Sequence, residues 1–234
     1  MEERVIILID FNDSFKREIK RILQLSDARD WLIELFCFWI IQGKRINSPL
    51  PDFLSKASKF FFKEENHTDI PLHFNLFDVK LKNNYIELIF SATTSNQKTY
   101  FPKSEDIEGF AYSPSLRQMI KKNKYSDFRK SVYVLTLDKQ RQGYVGSTIK
   151  LPTRLRVHRD DLRARRERHP VKEFLNNFTF KPNRLDNINV FVFDLKKDID
   201  QVEKEQEFFD YFKFKGILLN RGTNARNPNK IIIS

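Results

Sequence analysis

With one cysteine, Cys37, in 234 residues, the chain can form no internal disulfide. Its setting, Leu35-Phe36-Cys37-Phe38-Trp39, makes it a small buried apolar side chain and points to a reducing, intracellular compartment, cytoplasmic or nuclear. Long apolar runs are also missing. The charged start Met1-Glu2-Glu3-Arg4 is followed by only five apolar residues, 5–9, too few for a signal sequence or a membrane span, so no membrane partner is expected. The N-terminal half has neither a Gly/Ser-rich linker nor an internal repeat.

Core material is plentiful. Apolar residues make up 40% of the chain and 23 residues are phenylalanine, enough for one large domain or two modest ones. The net charge of +11 is uneven. Residues 1–125 carry 19 Lys and Arg against 17 Asp and Glu, whereas residues 126–234 carry 23 against 14. An excess confined to one half suggests a polyanion partner, because each cation on a phosphate releases condensed counterions. A solvated basic surface would read the same way.

Pattern and turn chemistry predict an α+β fold. In the N-terminal half, residues 5–9 read as a short buried strand, and 12–25 and 27–42 as helices, the second very apolar. Residues 72–77 and 85–90 read as strands joined at Lys82-Asn83-Asn84, and 114–124 as a short helix. The basic stretch 121–130 is the expected boundary, giving an α+β domain over 1–125 and a second domain over 126–234. In the latter, 132–137 and 143–147 form an antiparallel hairpin around the polar turn 138–142. A turn centred between Lys139 and Gln140 places Tyr133 opposite Gly146 and Tyr144 opposite Leu135, with both tyrosines on one face. Pro152 opens a helix to about residue 168, 187–195 is a third strand, and 198–212 a further helix.

Chemistry-bearing residues cluster in this second half. Arg154 and His158 fall, at i,i+4 spacing, beside the inward stripe of Leu151, Leu155 and Leu162. Arg156, Arg159, Arg163 and Arg166 lie on another face and form a basic ridge, read either as a track for a nucleic-acid backbone or as a solvated face laced with Asp160 and Glu167. Glu205 falls among Val202, Phe208, Phe209 and Phe212, away from Glu203 and Glu207. A carboxylate there needs compensation, by a divalent ion or by a salt bridge to Arg154. Mg²⁺ suits the first, since it takes one or two carboxylates and keeps its waters.

The words Ser131-Val132-Tyr133 and Tyr144-Val145-Gly146, followed by Arg154, His158, Glu205 and Asn220 in that order, resemble the GIY-YIG nuclease family over about residues 130–222. The resemblance implies a small three-stranded antiparallel sheet flanked by helices, with metal-dependent hydrolysis of DNA using one Mg²⁺ or Mn²⁺ per site. It implies that Tyr133 assists proton removal from the attacking water, Glu205 binds the metal and Arg154 stabilises the phosphate. Tyr144 and His158 would complete the hydrogen-bond network, and Asn220 would help position the site. Ser131 departs from the family's first glycine. The compact size and C-terminal placement of the domain fit a restriction or host-defence endonuclease, with the N-terminal domain used for recognition or oligomerisation. A mobile-element or phage nuclease, a structure-specific repair nuclease and a non-cleaving DNA-binding protein are alternatives. Double-strand cleavage would call for a homo-oligomer or two binding events.

Other features compete for attention. Pro51-Asp52 with Asp78-Val79-Lys80 imitates the PD-(D/E)xK nuclease signature, although Asp52 serves equally well as a helix cap. Trp31, Phe36, Phe38 and Trp39 would form a partner surface if exposed, and packing if buried. His169 reads as a solvated helix-end residue, and Gly222, Arg221, Arg226 and Asn227 as a DNA-contacting or frayed tail.

Overall fold

In the long apolar stretch Asp30–Arg45, every side from Trp31 to Ile41 except Glu34 is buried, so this helix forms the centre of a core. The computed structural model describes residues 4–10, 13–25, 29–61, 73–92, 99–121, 129–137, 142–164 and 188–220. They fold into two units, Met1–Glu105 and Asp106–Ser234, both of mixed α and β structure.

The first unit contains β1 (Arg4–Asp10), α1 (Asp13–Ile22), α2 (Asp30–Arg45), α3 (Asp52–Phe61), β2 (Phe74–Leu81) and β3 (Tyr85–Ala92). The strands form an antiparallel sheet in the order β1-β3-β2, with α2 packed on β2. Trp31, Phe36, Phe38 and Trp39 are all buried, which excludes them as a partner surface. Phe38 stacks on Phe101 with ring centroids 3.8 Å apart, and Trp39 Nε1–H donates to the Pro102 carbonyl. Cys37 is buried among them, and burial pushes its thiol well above the usual range, leaving it an unreactive apolar side chain.

Two expectations for this unit change. Strand β1 is an edge rather than a buried strand: Arg4, Ile6, Leu8 and Asp10 are exposed, and the alternate residues are only half-buried. A run of five apolar residues suggested burial on both faces, but β1 alternates exposed and half-buried residues, so one of its faces is open, and among the described strands it pairs with β3 alone. The PD-(D/E)xK imitation has a structural explanation. Asp78 is buried at a β-bulge, where its Oδ1 accepts from the Val79 amide at 2.8 Å, while Asp52 opens α3 in an exposed position.

The second unit contains β4 (Ile107–Ser113), α4 (Leu116–Lys121), β5 (Ser131–Leu137), β6 (Gly143–Thr148), α5 (Leu151–Arg163), β7 (Ile188–Leu195) and α6 (Gln201–Phe214). Its sheet is antiparallel but has four strands, not three, in the order β4-β7-β5-β6. The extra strand moves the unit boundary from residue 125 to 105. Glu108 and Gly109 in Ile107–Ser113 weaken its strand pattern, and pairing with β7 overrides local propensity.

Both faces of this sheet are covered. Tyr133, Leu135, Tyr144, Val190 and Val192 meet Leu151, Leu155 and Leu162 of α5 and Leu116 and Met119 of α4. The opposite face carries Val134, Phe191 and Phe193, with Phe193 4.7 Å from Phe208 of α6. Asp200 caps α6 by accepting from the Val202 and Glu203 amides. Ser131 also finds a role. It is the register partner of Asp194, and its Oγ donates to Asp194 Oδ1 at 2.9 Å, so a hydroxyl ties β5 to β7. Among the described residues no helix is long and apolar enough to cross a membrane.

Candidate active site

The β5–β6 hairpin sets the two tyrosines. Tyr133 pairs with Gly146 and Leu135 with Tyr144, as expected from the sequence, although turn residues 138–141 lie outside the described residues. Both tyrosine rings therefore face α5. A Cβ at Gly146 would lie 2.5 Å from Tyr133 Oη and 2.6 Å from its Cζ. Only glycine lets the phenol lie across the neighbouring strand.

Helix α5 supplies the partners. Arg154 and His158, one turn apart, reach the same phenol: Arg154 Nε–H donates to Tyr133 Oη at 3.2 Å, and Oη lies 2.7 Å from His158 Nε2. Tyr144 packs edge-on against His158, with ring centroids 5.6 Å apart. An arginine can only donate, so Oη accepts from Arg154; with the His158 ring proton on Nδ1, the phenol donates to Nε2.

The electrostatics set the charge of each group. His158 is 3% exposed, and burial, reinforced by the charge of Arg154, lowers its pKa to about 3. The imidazole is therefore neutral near pH 7. Burial raises the pKa of Tyr133 well above that of a free phenol. Tyr144 and Glu205 add to the rise, while the charge and hydrogen bond of Arg154 oppose it. Burial works against the charge of Arg154, but Tyr133 and Tyr144 together outweigh it and keep the guanidinium charged.

The neutral imidazole gives a stability prediction. An unfolded His titrates near 6.5 and the folded one near 3, so the unfolded state binds the extra proton between these values. The fold bears no penalty above pH 6.5 and loses about 1.4 kcal/mol per unit as pH falls below it. Urea midpoints at pH 7 and pH 5 should therefore diverge more in the wild type than in His158→Gln; equal differences would overturn the assignment.

Glu205 is half-buried on α6, and its Oε2 accepts from Ser147 Oγ at 2.5 Å. It is not enclosed in the apolar face of α6, as the wheel suggested. The enclosed residue is Lys204, 1% exposed, whose Nζ lies 2.5 Å from both Asp106 and Glu207. Glu205 instead reaches the β6 edge, close enough to Tyr133 for its charge to disfavour the phenolate. Ser147 was missed in the sequence. Strand alternation from Gly146 would have placed its hydroxyl on the α6 face.

Asn220 grips β6 from its outer edge. Its Oδ1 accepts from the Val145 amide at 2.8 Å and its Nδ2 donates to the Val145 carbonyl at 2.7 Å, while Gly143 pairs with Ile217 and Leu219. The side chain extends the ladder and holds β6 between Tyr144 and Gly146, so it is a positioning residue. Of the basic ridge, Arg156 and Arg163 are exposed, and Arg159 Nε donates to Asp160 at 2.8 Å. Arg166 and Glu167 lie outside the described residues, as do His169, Arg221, Gly222, Arg226 and Asn227.

Among the described residues no three His, Cys, Asp or Glu side chains form a metal-binding group. At the β6 edge the Glu205 carboxylate and the Ser147 hydroxyl are hard oxygens that fit Mg²⁺ or Mn²⁺ with retained water and not a thiolate-seeking metal. Comparison of the chain with protein-family models, curated proteins and solved structures gives no match.

Proposed function

We propose that Asp106–Ser234 is a GIY-YIG-type nuclease unit and that the protein is a divalent-metal-dependent DNA endonuclease. The observation that carries this reading is the buried phenol of Tyr133, held between Arg154 and neutral His158 across Gly146, with Glu205 in electrostatic reach. A buried tyrosine packed only for stability does not call for a charged donor, a neutral base and a carboxylate together.

The chemistry is that of phosphodiester hydrolysis. Tyr133 Oη orients the attacking water and assists removal of its proton, which passes to solvent as the bond to phosphorus forms and the bond to the leaving oxygen breaks; burial keeps both Tyr133 and His158 neutral, so neither stores the charge. A phosphate engages the guanidinium of Arg154, draws it off Oη and uncovers the phenol. Glu205 would hold a divalent ion, which would supply charge compensation for the phosphate and the leaving oxygen. Arg156 and Arg163, exposed on α5, lie along the DNA backbone.

Within this class we favour a restriction or host-defence enzyme, in which the first unit serves recognition or assembly. Purified protein is incubated with supercoiled plasmid and long, sequence-diverse DNA in Mg²⁺, Mn²⁺ or EDTA, beside Glu205→Gln. Discrete fragments that need both metal and Glu205 are expected. Nicks or smears would keep the nuclease but remove the restriction reading. Binding without cleavage on both DNAs would replace it with a structure-specific nuclease or the non-cleaving binder.

A further inference from the structure

The outer edge of β1 is bare among the described residues: β1 pairs with β3 on one side and with no described strand on the other. It is also apolar, with Ile6 58% and Leu8 60% exposed, and Val5 to Ile9 form an unbroken apolar run. Edge strands that remain single are usually blunted by lysine, proline or a bulge, and β1 has none of these. The opposite edge of the sheet is protected. Strand β2 has a bulge between Leu76 and Asp78 and an exposed Lys80.

We propose that β1 is a self-pairing edge, through which a second copy of this chain joins the sheets of the two N-terminal units into one antiparallel sheet of six strands. The sequence of the strand is self-complementary in that arrangement. With the twofold axis at Ile7, Arg4 stands opposite Asp10 of the partner subunit, Val5 opposite Ile9 of the partner subunit, and Ile6 opposite Leu8 of the partner subunit. All four exposed-face pairs then match charge with opposite charge or apolar with apolar. A slip of two residues puts Arg4 opposite Leu8 of the partner subunit or Asp10 opposite Ile6 of the partner subunit. Parallel pairing brings like charges together at both ends. Arg4 lies over the Phe77 ring, with Cζ 5.6 Å from the centroid, so its charge stays on the exposed face of the sheet. Because β2 is blunted, pairing closes at two copies instead of running on into a fibre.

This inference is independent of the nuclease reading, although a dimer would supply the two sites that a double-strand cut requires. Sedimentation velocity on the full chain from about 1 to about 100 μM tests it, since a strand-edge contact is at the small end of stable interfaces. Wild type is expected to approach twice its mass of 28.1 kDa. The pair Ile6→Lys and Leu8→Lys should give a monomer with unchanged circular dichroism and melting temperature, because both sites are exposed. Arg4→Asp should weaken association about tenfold or more by placing acid opposite acid, and adding Asp10→Arg should restore it. A wild-type monomer at every concentration, or a dimer indifferent to both the lysine pair and the charge exchange, would overturn the proposal.

Discussion

Tyr133→Phe is expected to lower DNA cleavage by about a thousandfold while leaving a folded protein that still binds DNA, the middle of the range for loss of a general acid–base group. The substitution removes one oxygen and nothing else from a ring that is 0% exposed. That oxygen is the meeting point of the site: it accepts from Arg154 Nε and lies 2.7 Å from His158 Nε2. On the proposed mechanism, the attacking water then loses the group that orients it and assists removal of its proton. The stability cost is about 1–3 kcal/mol, since a buried imidazole nitrogen and half-buried guanidinium lose a partner. Plasmid cleavage time courses with a parallel thermal melt and DNA-binding titration check this. A variant within tenfold of wild type would remove Tyr133 from the reaction and leave Arg154 and Glu205 to explain any activity.

Gly146→Ala is expected to cost about 1–3 kcal/mol of stability through overpacking. It should also reduce cleavage about a hundredfold, the usual penalty for displacing a reacting group by roughly an ångström. The added methyl would meet Tyr133 Oη at 2.5 Å and Cζ at 2.6 Å, and the ring cannot easily withdraw because Tyr144 and His158 flank it. The strands themselves are held by their ladder, so the ring is what moves. A double-mutant cycle with Tyr133→Phe separates the two effects. The phenylalanine relieves the contact at Oη and retains the one at the ring, so the combined stability loss should fall short of the sum. Additive losses, or an alanine variant with wild-type melting and activity, would show that Gly146 is not the seat of the phenol.

Strand and helix existence was legible in much of the chain because the signals were local. The polar turn fixed the β5–β6 register, so the opposition of Tyr133 to Gly146 and the shared face of the two tyrosines could be read from spacing. The i,i+4 separation of Arg154 and His158 likewise placed both on one helix face, where they reach the same oxygen. Burial of Trp31, Phe36, Phe38 and Trp39 followed from an apolar helix with too few polar positions to face water.

Tertiary structure decided what depends on partners far along the chain. Ile107–Ser113 becomes a strand because β7 offers it an edge, and this alone moves the unit boundary. Among the described strands β1 has β3 alone beside it, which an apolar run cannot reveal. In α6 the helical wheel favoured Glu205 for enclosure. Asp106 and Glu207 neutralise Lys204 instead, and leave Glu205 at the β6 edge with Ser147. Periodicity fixes the direction of a side chain from its own backbone. The cost of burying its charge depends on neighbours that only the folded chain brings near.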